Sequence, residues 1–397
     1  MRSTRVRLAV IGVGLRSEIA MHALEGGVGE IVAVVDPDSG ARSRATAHFT
    51  NVQANAEVRA FATQRELIES DAQVDAAFVT SPDHTHAEIA IDLLRAGIAV
   101  YLEKPIAISL ADSDAILQAA YDSGTRLYVG HNMRHMAVVR QMREIIKRGE
   151  IGEVKAVWCR HFVGNGGDFY FKDWHAERAK SNGLLLQKGA HDIDIIHWLA
   201  GGYASVVSGM GDLSVYGALT DRRDNSDRSM TDWFSLDAWP PLTQTELNPV
   251  VDVEDISMMM MRLDNGVLAS YEQCHFTPDY WRNYTVIGTE GRLENFGDTD
   301  GAVVRVWNRR TTYSASGDAE YAIQGDPSGH DDADKLTVAE FIRFVRDGSS
   351  TETSPIAARN AVAAAIAATE SLRDGSLPRR VVPVDDDLVA YFNASTS

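Results

Sequence analysis

The sequence predicts an α/β protein in two parts: a doubly wound parallel sheet at the amino terminus, then an α/β domain built on a mostly antiparallel sheet. Three observations carry this. From Val6 to Gly130, short β-branched runs alternate with segments of helical period, the pattern of βαβ units. Gly12-Val13-Gly14 breaks the chain between the first such run and the first helical segment. Beyond Arg134 the apolar runs follow one another closely, and Asp264-Asn265-Gly266 stands between two of them as a hairpin turn.

Strands are expected at Val6 to Ile11, Ile31 to Val35, Ala76 to Thr80, Ala99 to Leu102 and Leu127 to Val129. Helices Ala87 to Ala96 and Ser109 to Tyr121 lie between them, with Gly97 and Gly124 where helices stop. After Arg134 the reading is one helix to about Gly149, a strand at Val154 to Phe162, a glycine-rich loop and an amphipathic helix from Gly189 to Leu199. Strand-like runs follow at Ile256 to Leu263, Gly266 to Cys274, Asn283 to Gly288, Gly291 to Asn295 and Ala302 to Asn308. Gly217 to Pro249 has no period and reads as a long loop, a kind that is often functional. Ser354-Pro355 opens an alanine-rich helix to Leu372 that is expected to dock back on the first domain. The expected domains are 1–130, 131–350 and 351–397.

With 397 residues, 45% hydrophobic and 24% charged, the chain has the length and composition of a two-domain enzyme. Its formal charge of -18 repels phosphate backbones, so nucleic acid is not an expected partner. Its two cysteines, Cys159 and Cys274, form no disulfide framework and no metal-ligand spacing, which fits a reducing compartment. The basic start, Met1 to Arg5, precedes Leu8-Ala9-Val10-Ile11, but Gly12 and Gly14 end that run too early for a signal peptide. No other stretch is long and apolar enough to span a membrane, and the expected location is the cytoplasm.

The first chemical signal is Gly12-Val13-Gly14-Leu15-Arg16-Ser17, a dinucleotide-binding turn with Ser17 in place of its third glycine. It follows a strand and opens a helix whose amino terminus suits a pyrophosphate. Asp36 ends the next strand about 20 residues on, where a carboxylate binds ribose hydroxyls. Its charge favours NAD over NADP, although Arg16 and Arg42 are able to offset it. Thr80-Ser81-Pro82-Asp83-His84-Thr85-His86 connects a strand to a helix and is expected along the nicotinamide half, with Ser81, Pro82, His84 and His86 as cofactor-side candidates. Neither histidine has a further ligand at metal spacing, so no metal is expected and both read more simply as packing or surface groups. Glu103-Lys104-Pro105 follows an apolar run that reads as a buried parallel strand, and in such sheets ligands bind beyond the strands' carboxyl ends. Lys104 therefore points toward chemistry.

These motifs, together with Gly130-His131-Asn132-Met133-Arg134 and Gly189-Ala190-His191-Asp192-Ile193-Asp194, resemble in order those of the Gfo/Idh/MocA oxidoreductases. The resemblance covers most of the chain. It implies a Rossmann domain, a carboxyl-terminal domain whose open sheet joins copies into a homodimer or homotetramer, and hydride transfer between NAD and a sugar or polyol carbon. By resemblance Lys104 contacts the substrate hydroxyl and the nicotinamide ribose, Glu103 lies on the cofactor side, Arg134 on the substrate side, and His191 transfers the proton. The chemistry is consistent: an imidazole titrates near neutrality and takes an alcohol proton, and a partly desolvated ammonium stabilises an alkoxide.

Asp194 shares a helical face with His191, which makes it a binding candidate, whereas Ile193 and Ile196 serve packing. One departure matters. Where the family commonly has an aspartate four residues before the histidine, this chain has Gln187, followed by Lys188. Gln187 hydrogen-bonds hydroxyls but cannot raise the basicity of His191, and Lys188 adds a charge that suits an anionic substrate. The segment Gly164 to Lys180, with Asp168, Tyr170, Lys172, Trp174, His175 and Arg178, offers aromatic faces beside polar tips, as sugar rings require. Tyr280-Trp281-Arg282 repeats the combination later.

The leading expectation is an NAD-dependent sugar or polyol dehydrogenase. Its alternative is an NAD-dependent glycosidase that oxidises, eliminates, adds water and re-reduces, acting on an anionic or sulfonated glycoside such as a sulfoquinovoside. A ligand sensor that keeps the dinucleotide fold is a third reading, opposed by the presence of Lys104 and His191.

Overall fold

The computed structural model describes residues 5–54, 56–324 and 331–394. Among these the chain divides into two compact units, Met1–Asn132 with Ala333–Arg359 and Val384–Ser397, and Met133–Asp332 with Asn360–Pro383. The first boundary falls two residues from the expected one. The carboxyl-terminal division differs from expectation, because two late segments return to the first unit.

The first unit is a six-stranded parallel sheet in the order β3-β2-β1-β4-β5-β6. Its strands are β1 Val6–Ile11, β2 Gly29–Val35, β3 Arg59–Phe61, β4 Ala76–Val79, β5 Ala99–Leu102 and β6 Leu127–Val129. Strand order reverses between β1 and β4, and crevices beyond the carboxyl ends at such a reversal bind ligands. The turn of Gly12, Asp36, the Ser81 loop and Lys104 all follow carboxyl ends of these strands. β3 was not anticipated, because Arg59-Ala60-Phe61 carries no β-branched run.

Leu8, Val10, Ile31, Phe78, Tyr101 and Tyr128 form the core of this sheet with Val338, Phe341 and Ile342 of helix Asp331–Asp347. Burying one such side chain is worth about 1.5–3 kcal/mol. That helix takes the place expected of the alanine-rich one. Helix Pro355–Arg373 belongs to the first unit only as far as Arg359, whose guanidinium bonds Asp114 at 2.7 and 3.1 Å. From Asn360 onward it belongs to the second. The reason is size: Ala361, Ala364, Ala365 and Ala368 are buried and allow the helix backbone to approach strand residue Gly209 too closely for any Cβ there. The first unit's sheet is instead filled by large side chains.

The second unit holds a nine-stranded sheet in the order β14-β13-β12-β11-β7-β10-β9-β8-β15, in which only the β7–β10 pair is parallel. Its strands are β7 Val154–Phe162, β8 Ala204–Asp212, β9 Ile256–Leu263, β10 Leu268–Cys274, β11 Trp281–Gly288, β12 Arg292–Phe296, β13 Val303–Trp307, β14 Ala319–Ala322 and β15 Arg379–Arg380. β8 escapes a pattern reading because Ser205, Ser208, Gly209 and Gly211 dilute its apolar run. Along β7, Val157, Cys159 and His161 are buried while Trp158 and Arg160 are exposed. The buried face carries helix Gly189–Ala200. The other face is open, and Trp158, Met258, Met260 and Leu268 are exposed on it.

The long segment after β8 contains the short α-helix Met230–Trp233 and the 3₁₀ turns Tyr216–Ala218 and Pro241–Thr243, and is otherwise irregular. Its base is fixed by the buried Asp255 carboxylate, which accepts the N–H groups of Ser214, Val215 and Tyr216 at 2.8, 2.7 and 2.9 Å.

Candidate active site

In the first unit, Gly12 has φ +82°, and a Cβ there would lie 2.5 Å from the Ser81 backbone. Only glycine serves at this contact between two loops. In front of Gly14 a Cβ would meet nothing, so the turn is open on that side. Ser17 bonds the Gly14 carbonyl through both its N–H (3.0 Å) and its hydroxyl (2.6 Å), closing the turn where a third glycine is usual. The following segment, Leu15–Gly27, winds as 3₁₀ helix interrupted at Glu25 and Gly26, with Leu15 exposed at its start.

Asp36 lies beside this turn. Its Oδ2 accepts the Val13 N–H at 3.0 Å and its Oδ1 the Asp38 N–H at 2.9 Å. Arg42 donates to the Asp36 and Pro37 carbonyls. A glycine turn open at Gly14, with a fixed carboxylate beside it, fits a dinucleotide with free ribose hydroxyls.

Arg16 and Glu103, both expected on the cofactor, are paired with each other. Arg16 donates from Nε to Glu103 at 2.6 Å and from its two terminal nitrogens to Asp334 at 2.5 and 2.9 Å. Burial works against the Arg16 charge, but Glu103 and Asp334 outweigh it and raise its pKa well above the usual value. Two carboxylates thus balance the guanidinium that was able to offset Asp36. The other Glu103 oxygen accepts the Lys104 N–H at 3.1 Å.

His86 is fully buried, with Nδ1 2.8 Å from the Pro105 carbonyl and Nε2 3.0 Å from that of Ser81. Both contacts call for N–H donors, whereas burial pushes the pKa down to about 4 and leaves one N–H at neutral pH. Lys104 and His84 work in the same direction as burial, so the ring is neutral. His86 therefore ties together the loops after β4 and β5. Pro82 opens the short turn Asp83–Thr85, and His84 is exposed. Among the described residues no group of three or more His, Cys, Asp and Glu is placed to hold a metal ion.

In the second unit, His191 lies in the first turn of helix Gly189–Ala200 and is almost wholly buried. The short helix Leu184–Gln187 precedes it, ending on the buried Gln187, and the Lys188 N–H bonds the Leu184 carbonyl to join the two. The Lys188 ammonium stands 5.9 Å over the Tyr170 ring. Tyr170 meets His175 and His275 edge-on at 5.4 and 5.1 Å, and Trp174 stacks on His175 at 3.8 Å. Tyr170 thus meets Lys188 directly, and Trp174 through His175.

Other expected residues are paired among themselves. Lys172 is buried on Asp168 at 3.0 Å, which also accepts from Gln244 at 3.2 Å. Arg134 and Asp194 form a buried two-point pair at 2.7 and 2.6 Å, with the guanidinium 5.6 Å from the Trp198 ring centre. Asp194, taken as a substrate ligand, is here the carboxylate that holds Arg134.

At Asp192, the residue after His191, begins a buried network that sequence reasoning missed. Asp192 forms an ion pair with Arg282 at 3.0 Å, faces His161 at 3.2 Å and takes the Tyr284 hydroxyl. Burial alone raises the Asp192 pKa, but Arg282, His161 and Tyr284 hold it well below the usual carboxylate range. Burial, with Arg282 adding to it, pushes His161 down to about 3, so that ring is neutral. The missing carboxylate at position 187 is not replaced by Asp192, which is committed to Arg282. His161 and Arg282, directly paired across β7 and β11, alternate in step with the buried Val157 and Val286. Polar residues at core parity were the available signal.

A profile described as the oxidoreductase family with an NAD-binding Rossmann fold matches residues 6–131. A second, the GFO/IDH/MocA C-terminal domain, matches residues 139–294. The chain belongs to the Gfo/Idh/MocA oxidoreductases. Among curated family members, a protein of Amycolatopsis mediterranei provisionally named UDP-kanosamine synthase oxidoreductase subunit is 32% identical over 72% of this chain and 73% of its own length. Inositol 2-dehydrogenase 1 of Saccharopolyspora erythraea is 34% identical over 49% of this chain and 54% of its own. The chain thus spans from 54% to 73% of these relatives' lengths. Levoglucosan dehydrogenase, solved with NADH and levoglucosan, shares the fold with a TM-score of 0.74, covering 95% of this chain and 99% of that one at 18% identity. Residues 6–131 thus carry the NAD-binding Rossmann fold of that oxidoreductase family.

Proposed function

We propose that this oxidoreductase is an NAD-dependent dehydrogenase of a sugar or polyol carbinol. The observation that carries the reading is Lys104 at the carboxyl end of β5, its loop held by Glu103 and His86 beside a turn that requires Gly12. Inositol 2-dehydrogenase and levoglucosan dehydrogenase among its relatives support the substrate class.

Gly12, Gly14, Leu15, Asp36, Ser81 and Pro82 hold the cofactor in this reading, and NAD, when bound, supplies the hydride acceptor. The Lys104 ammonium donates to the reacting hydroxyl and stabilises the alkoxide as its proton leaves. His191 accepts that proton. Tyr170 and Trp174 offer faces to the apolar side of a sugar ring, and Gln187 and Lys188 bond its hydroxyls. The two cysteines are free thiols, which suits a cytoplasmic location. Two or four copies join through the open face of the nine-stranded sheet, where Trp158 and Met260 are exposed.

Gln187 in the position of the usual carboxylate favours a second reading, the NAD-dependent glycosidase, and a relative of Mediterraneibacter gnavus at 30% identity is named 2,7-anhydro-N-acetylneuraminate hydratase. The anionic form of that substrate relies on Lys188, because the Lys172 charge is balanced by Asp168.

Incubation with NAD and a panel of free sugars, polyols and aryl glycosides, following NADH absorbance and aglycone release together, separates the two. NADH in proportion to product supports the dehydrogenase, and NAD-requiring aglycone release without NADH supports the glycosidase. Lys104→Ala is expected to abolish either activity with an unchanged circular dichroism spectrum. Near-normal turnover in that variant would sink both.

A further inference from the structure

Arg16 follows the glycine turn directly, yet its guanidinium is directed to two carboxylates from distant parts of the chain. Glu103 uses one oxygen for Arg16 Nε at 2.6 Å and the other for the backbone N–H of Lys104 at 3.1 Å. Asp334, near the start of helix Asp331–Asp347, takes both terminal nitrogens of Arg16 and also the Asn132 side-chain amide at 2.7 Å. The two carboxylates are largely enclosed, with side-chain exposures of 8% and 12%, against 38% for Arg16. The helix bearing Asp334 is anchored in the same core by Val338, Phe341 and Ile342, and by Glu340, which takes the Tyr128 hydroxyl at 2.7 Å.

Resting on the reading of Lys104 as the substrate-facing lysine, we propose that Arg16 and Asp334 are positioning residues for Lys104. Asp334 fixes the Arg16 fork, Arg16 fixes Glu103, and Glu103 fixes the backbone from which the lysine projects. A two-point guanidinium–carboxylate pair is directional, so it transmits orientation as well as charge. His86 secures the other side of the lysine through the Pro105 carbonyl. Arg16 therefore acts on the reacting hydroxyl through Lys104, and its charge is spent on Glu103 and Asp334 rather than on a cofactor phosphate.

The test is Asp334→Asn in the full-length protein, read three ways: NAD titration by intrinsic tryptophan fluorescence, steady-state kinetics on the accepted carbohydrate, and acetic anhydride labelling of Lys104 quantified by mass spectrometry. The expected result is NAD affinity within about twofold of wild type, kcat lower by about 10²-fold, and a Lys104 labelling rate changed by about fivefold. Asp334→Glu is expected to restore most of both. Should Asp334→Asn not fold, Glu103→Gln probes the same chain of contacts with the same expectation. Wild-type labelling and kcat in either variant overturns the proposal, since Asp334 would then be a structural tie only. So does a loss of NAD binding as large as the loss of kcat, which would assign the pair to the cofactor. Labelling and NAD titration need no substrate, so they decide the positioning even if no carbohydrate in the panel is turned over and the dehydrogenase reading fails.

Discussion

His197 shows how far burial constrains one side chain. Its Nε2 accepts the Ala204 N–H at 3.1 Å, which puts the ring proton on Nδ1 and requires a neutral imidazole. Burial pushes its pKa down to about 4, with Asp194 opposing and Arg134 assisting. A folded pKa below the unfolded value of about 6.5 means that the unfolded chain binds the extra proton between pH 6.5 and 4. Stability is therefore complete above this window and is lost as pH falls through it, by up to about 1.4 kcal/mol per pH unit for each such group. His86 and His161 act in the same direction. His197→Gln is expected to reduce the slope of unfolding free energy against pH by about one proton's worth, measured by urea denaturation at several pH values. An unchanged slope would mean that the ring is not a neutral acceptor. At this scale the places of Lys104 after β5 and of His191 at the start of its helix were legible from the sequence, whereas Arg134 and Asp194 each read as substrate ligands because their mutual pair is invisible until the chain folds.

Among the elements, the turn after β1 is the most constrained. Positive φ at Gly12 and the Ser81 backbone 2.5 Å from its missing Cβ exclude any side chain, while the space at Gly14 is open. Gly12→Ala is expected to cost on the order of 1–3 kcal/mol of stability and to weaken NAD binding by at least about tenfold, because the turn and the Ser81 loop must separate. Gly14→Ala is expected to keep wild-type stability and to lose NAD affinity only. Equal destabilisation by both variants, in chemical denaturation with NAD titration alongside, would contradict this. Long patterned elements were readable, β7 and β9 to the residue. β3, β8 and β14 were not, being short or glycine- and serine-diluted and formed only against a neighbouring strand.

For the whole molecule, the open face of the second unit's sheet sets the expectation. Trp158 is 50% and Met260 66% exposed, with Met258 and Leu268 exposed on the same face, and large apolar side chains left exposed on one face mark an interaction surface. A Trp158→Glu, Met260→Glu double variant is expected to sediment as a monomer under conditions where the wild type forms a dimer or tetramer, without loss of its melting transition. A monomeric wild type would remove this face from consideration.

Helical period, strand runs and the turns between them are encoded within a few residues of one another, so the α/β class, both sheets' main strands, the NAD-type turn and Lys104 follow from the linear chain. Which charged groups meet does not. Arg16 and Asp334 are 318 positions apart, and Arg282 and His161 121. A buried charge is tolerated only with a partner in place, and that partner is chosen by where the fold brings distant segments together. The same holds for the alanine-rich helix: its sequence specifies a helix, but the surface it covers depends on which sheet leaves room for a backbone to come close.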